Sequence, residues 1–202
     1  MRFRPRMLVA VGMATLVASA LLSSPSHASG SASPTTFAAL GIEFIPDGHP
    51  GQCAGPTQQW VAAGSWSTPI RIDADGRTGG CLLAFGVQDA NVGFTYRWVT
   101  TGGNPVQCGN QGLYNAPETT PATFGSRIRI NTDDRGGGCF LILALESASW
   151  LIDVFYLADG NAGQCGGSVT AATVSTFSPV QLVVDTDGRT GGCNLQLRLR
   201  SL

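Results

Sequence analysis

The chain of 202 residues carries 12 basic and 13 acidic side chains, for a formal charge of −1, and every basic one is arginine. Three arginines (Arg2, Arg4, Arg6) precede the apolar run 7–22 and the small-residue stretch 23–28; this is the layout of a secretory signal peptide, residues 1–28, with an apolar core too short for a membrane span. Beyond it, nine arginines face thirteen acids, a balance that excludes nucleic acid and anionic membrane surfaces as natural partners. The expected product is a secreted, extracellular protein with a flexible Ser/Ala/Gly/Pro-rich start at 29–36 and a single domain at 37–202, long enough to bury a core.

That domain repeats itself three times, over about 37–89, 90–147 and 148–202. Each repeat opens with an apolar alternating strand: Leu40, Ile42 and Phe44; then Phe94, Tyr96 and Trp98; then Ile152, Val154 and Tyr156. Repeat two needs one inserted residue, at Thr100-Thr101, to keep this phase. A glycine turn follows, with Gln-Cys four and five residues on: Gly48 with Gln52-Cys53, Gly103 with Gln107-Cys108, Gly160 with Gln164-Cys165. Less regular strands are expected around Trp60 and at 169–174. Next come Ile70-Arg71-Ile72-Asp73 and Ile128-Arg129-Ile130-Asn131, which alternate as half-buried strands do and end in Asp/Gly turns.

Those turns lead into Gly-Gly-Cys at Cys81, Cys139 and Cys193. The strand after each cysteine has an inward phase: Leu83, Phe85 and Val87; Leu141, Leu143 and Leu145; Leu195, Leu197 and Leu199. These nine should form a core layer. Short polar links at 88–91 and 146–149 should let the last strand of one copy form a hairpin with the first strand of the next. Equivalent cysteines lie 54 to 58 residues apart, which marks a true internal repeat.

Six cysteines in an exported chain form a disulfide framework. No CxxC pair exists and His49 is the single histidine after the signal peptide, so zinc ligands at normal spacing are missing. Pairing within each repeat spans 28, 31 and 28 residues, whereas either shifted pattern needs a link over more than 80. The expected bonds are therefore Cys53–Cys81, Cys108–Cys139 and Cys165–Cys193.

About four strands per copy give an all-β, disulfide-stapled domain of about twelve. A pseudo-three-fold closed β structure would supply partners for the first and last strands. This organisation resembles a β-trefoil, with a three-sheet β-prism as the second possibility. The resemblance is architectural. Ricin-type trefoil lectins carry Gln-x-Trp near the end of every repeat, whereas Gln58-Gln59-Trp60 occurs here once, in mid-repeat, so no binding residue is carried over.

The repeated Asp-x-Asp-Gly-Arg-x-Gly-Gly-Cys turn has a structural reading. Asp75, Asp133 and Asp187 shape it, and Arg77, Arg135 and Arg189 neutralise the acids and reach backbone carbonyls. Calcium is the competing reading, opposed by the arginine charge. No metal or cofactor is expected. His49 stands in a turn where the equivalents are Asn104 and Asn161, so a histidine-based nucleophile system is lacking and the protein reads as non-enzymatic. Two binding roles follow. A glycan-binding module would use Trp60, Trp66, Tyr114, Asn104 and Asn161, multiplied over the repeats. An adaptor binding a secreted protein partner would use Phe140 and Ile142, which are apolar on an outward face that is polar in repeat three. A protease inhibitor is a third, weaker reading.

Overall fold

The computed structural model describes residues 37–73, 77–88, 91–102, 105–118, 123–131, 137–167, 170–185 and 190–202. Within them the chain is all-β, with three short 3-10 turns and no α-helix. The strands are β1 (Ala39–Gly48), β2 (Cys53–Ala54), β3 (Gln58–Ala62), β4 (Ile70–Asp73), β5 (Gly79–Gln88), β6 (Gly93–Thr100), β7 (Gly112–Ala116), β8 (Ile128–Asn131), β9 (Gly138–Glu146), β10 (Trp150–Gly160), β11 (Thr170–Val174), β12 (Val180–Asp185) and β13 (Gly191–Ser201). The segments expected to be a signal peptide and a flexible start, 1–28 and 29–36, lie outside the described residues.

Alternation drives the long antiparallel pairs β1 with β5, β6 with β9, and β10 with β13, because each lays two apolar faces side by side. The first runs from Ala39 opposite Gln88 to Gly48 opposite Gly79. Three sheets grow from these pairs, in the orders β3-β1-β5-β8, β7-β6-β9-β12 and β11-β10-β13-β4-β2, and none closes on itself. In each, one flank is a strand from the same third of the chain (β3, β7 or β11), while the other flank comes from a different third (β8, β12, or β4 with β2). Thus β4, early in the sequence, pairs with β13 at its end, with Ile70 opposite Leu195.

Two expectations fail on this topology. The links at 88–91 and 146–149 do not close hairpins: β5 and β6 belong to different sheets, as do β9 and β10. Both edges of β5 are occupied, by β1 and β8, so the link carries the chain to a new sheet. Nor does β6 contain an insertion. Thr100 faces Cys139 as Pro46 faces Cys81 and Ala158 faces Cys193. The glycine with φ of 108° is Gly102, matching Gly48 at 123° and Gly160 at 111°, so the extra residue follows Gly102.

All nine predicted core residues, and the nine apolar residues of β1, β6 and β10, are at most 2% exposed and join one hydrophobic cluster. The three disulfides pair as expected, each with a Cα separation of 5.7 Å. They fasten the end of each glycine-Gln-Cys turn to the start of β5, β9 or β13. The glutamine before each first cysteine, Gln52, Gln107 or Gln164, is fully buried. The Gly-Gly pair has two separate reasons. Gly79 needs a positive φ of 121°, and a Cβ at Gly80 would come within 2.3 Å of the Ile130 carbonyl oxygen on β8.

Candidate functional site

Just before β4, β8 and β12 an aromatic residue stands between small or hydroxyl residues: Ser65-Trp66-Ser67, Thr123-Phe124-Gly125 and Thr176-Phe177-Ser178. The backbone beside each is pinned. Ser67 N donates to Leu197 O at 2.8 Å, Gly125 N donates to Phe85 O at 2.8 Å, and Ser175 and Ser178 exchange backbone bonds of 3.1 and 3.2 Å around the tip that bears Phe177. None of the three rings belongs to the hydrophobic core cluster. Trp66 is 41% exposed and Phe177 96%, while Phe124 is half-buried.

Each aromatic borders a cleft. The largest, about 810 Å³, has Phe177, Leu151, Leu202, Asn91 and Glu146 in its walls. A second, about 500 Å³, lies between Phe124, Tyr114 and Asn115. The third, about 390 Å³, is bounded by Trp66, Phe155 and Gln196. Concave sites with an apolar wall and a few polar groups are the usual form of a small-molecule site.

The rings are held differently. Arg198 lies 4.6 Å from the Trp66 ring centroid and also donates to Asp153 at 2.7 and 3.0 Å, so the indole rests on a fixed cation. Burial works against ionisation of Asp153, yet bonds from Arg200, Arg198 and Thr173 together hold its carboxyl below the usual range. Tyr114 stacks on buried Tyr96 at 5.5 Å, and its hydroxyl donates to the Asn110 carbonyl. Burial pushes the Tyr96 hydroxyl up to about 12. Phe124 packs on Trp60 at 5.1 Å. The wall of the largest cleft is tied by Thr176 Oγ1, which donates to Ser147 O at 2.6 Å.

Of the residues expected to bind glycan, Trp66 and Tyr114 line clefts. Trp60 lies across Gly41 and Gly86, where a Cβ would meet its ring at 2.7 and 2.8 Å, and so packs the outer face of its sheet. Asn161 caps a 3-10 turn by accepting from Gly163 N at 3.0 Å, and His49 does the same for Gly51 N at 3.0 Å. Asn104, Asp75, Asp133, Arg135, Asp187 and Arg189 lie outside the described residues. Arg77 is exposed, with Nη1 2.6 Å from where a Cβ on Gly51 would stand. Phe140 and Ile142 are half-buried. Phe140 lies in a row with Val99 and Val183, and the turn at Gly166 packs against Val183.

Trp66 and Phe124 both stand 15 residues before a cysteine, Cys81 and Cys139, while Phe177 stands 16 before Cys193, so the triplet is legible in two places and drifts by one residue in the third. The arginine clasps are not legible in this way. Arg71 donates to Asp159 at 2.7 Å and pairs with Asp73, and Arg129 donates to Asp47 at 2.5 Å. Val183 stands at the corresponding place on β12, since it faces Phe140 where Arg71 faces Asn194 and Arg129 faces Leu82.

Buried Glu43 accepts from Arg127 at 2.7 and 3.0 Å and from Gln58 at 2.8 Å. The Arg127 hydrogen bond holds its carboxyl below the usual carboxylate range, burial pulls it up, and Gln58 adds to the lowering. Because the folded value is the lower one, the stabilisation is complete above the unfolded value of about 4.3 and is lost as the pH falls through the folded one. Glu43→Gln should cost about 2 kcal/mol at neutral pH. Melting curves at neutral pH and well below pH 4 should show the variant and the native protein converging in acid.

No protein-family model matches the chain, and no curated protein or solved structure is significantly similar to it.

Proposed function

We propose that this is a secreted, non-catalytic carbohydrate-binding protein with three quasi-equivalent sites. Its three sheets are read as a pseudo-three-fold assembly of the prism kind, in which each repeat lends one strand to its neighbour's sheet. The observation that carries the reading is the outward aromatic beside each of three clefts, placed just before the lent strand. An aromatic face suits the apolar face of a pyranose ring, and the amides and hydroxyls around it suit sugar hydroxyls. Three such sites on one chain raise weak single-site affinities on a polyvalent surface by about 10²–10⁴. Three buried disulfides fit an oxidising compartment.

A glycan array probed with the native protein and with Trp66→Ala/Phe177→Ala provides the test. Phe177 is almost wholly exposed and Trp66 lies at the surface over Arg198, so the melting temperature should fall only slightly while array binding falls by about tenfold or more. A native protein that binds no glycan sinks the proposal. The adaptor reading keeps one favourable observation, the apolar row of Val99, Phe140 and Val183, and capture of a defined protein from culture fluid in the absence of any glycan binding would favour it.

A further inference from the structure

The three clefts differ in charge, and the largest carries the clearest chemical preference. Its one charged side chain among the described wall residues is that of Glu146 at the end of β9. That residue is exposed, and its carboxylate has no hydrogen bond or ion pair to a described residue. Glu146 Oε2 lies 3.6 Å from where a Cβ on Gly93 would stand, so the side chain lies beside Gly93, its partner at the start of β6. Phe177, 96% exposed on its two-residue tip, faces the same space. Leu151 and Leu202 supply an apolar floor, and the Leu202 backbone is fixed by its N–H bond to Ser149 O at 2.9 Å. An aromatic face, an available carboxylate and an apolar floor together make a site for an ammonium group carried on a ring with an apolar face. The same site repels carboxylated or sulfated sugars.

We infer that the Phe177 cleft selects amino sugars with a free, protonated amine, such as oligomers of glucosamine, over their N-acetylated counterparts. This rests on the carbohydrate reading and names the ligand class of one of its sites. Acetylation removes the charge that Glu146 would meet and leaves the ring face for Phe177 unchanged. Lysine side chains offer the same ammonium without the ring.

Calorimetric titration of the native protein with glucosamine oligomers, N-acetylglucosamine oligomers and a trilysine peptide separates the outcomes. Glucosamine oligomers should bind about threefold more tightly than the acetylated ones, with a preference that shrinks as salt is raised. Glu146→Gln should erase that preference with no change in melting temperature, and Phe177→Ala should weaken both sugars. Equal affinity for the two oligomers, a preference for the acetylated one, or trilysine binding as tightly as the amino sugar would overturn the inference. If neither oligomer binds while other glycans do, the inference falls and the carbohydrate reading stands; if no glycan binds at all, both fall.

Discussion

With all six cysteines replaced by alanine, the chain is expected to be unfolded at about 37 °C. Each bond closes a loop of 28 to 31 residues, which in the chain-entropy account is worth about 3.6 kcal/mol, or about 11 kcal/mol for the three. A domain of this size has a total stability of about 5–15 kcal/mol. Removing one bond, as in Cys108→Ala/Cys139→Ala, should leave a folded protein that unfolds at lower denaturant concentration. The sulfurs belong to residues at most 5% exposed, so reductant alone should act slowly on the native protein and rapidly once denaturant is added. Chemical denaturation monitored by far-UV circular dichroism checks both. A six-alanine variant with native-like cooperative unfolding would show that the core needs no staples.

Phe85→Ala should be the most damaging single core truncation in the sheet of β1 and β5, at about 3–5 kcal/mol. Phe85 is fully buried and meets two rings edge-on, Phe94 at 5.4 Å and Tyr96 at 5.0 Å. Those two rings belong to the sheet of β6 and β9, so Phe85 ties adjacent sheets together. Edge-to-face pairs add about 0.5–1.5 kcal/mol beyond area burial. The corresponding residues on β9 and β13 are Leu143 and Leu197, so Phe85→Leu supplies a side chain the fold already accepts at two places. It should cost about 1–2 kcal/mol, mainly through the lost ring contacts. Equilibrium unfolding of the two variants should rank them well apart; equal losses would mean that the ring geometry contributes nothing.

Much of the fold was legible before any coordinates because it is local or periodic. A period of two assigns Leu83, Phe85 and Val87 to one face whichever strand lies beside them, and burial makes that face inward. The repeated motif leaves three equivalent cysteine pairings, and loop lengths of 28 and 31 against a link of more than 80 favour the one within repeats. Glycines recur where a positive φ is required, and the motif therefore located the turns. It also misplaced one, because Gly102 and Gly103 are indistinguishable until backbone angles are known.

Tertiary structure decided which strands became neighbours and what gathered around them. Periodicity says that Ile70-Arg71-Ile72 is a strand, but nothing in it says that the edge it meets is β13 and not β5. That choice sets the clasp of Arg71 with Asp159, 88 residues away, and of Arg129 with Asp47, 82 away. It also brings Trp66 beside Phe155 and Gln196, and Phe177 beside Leu151, Glu146 and Leu202, so these two clefts draw their walls from distant segments, whereas the Phe124 cleft is lined from 113–126 alone. Local propensity acts over a few residues, whereas strand exchange is settled by how three apolar faces share one core. Turns, staples and inward faces were therefore written locally, and the clefts came into being only when the sheets were assembled.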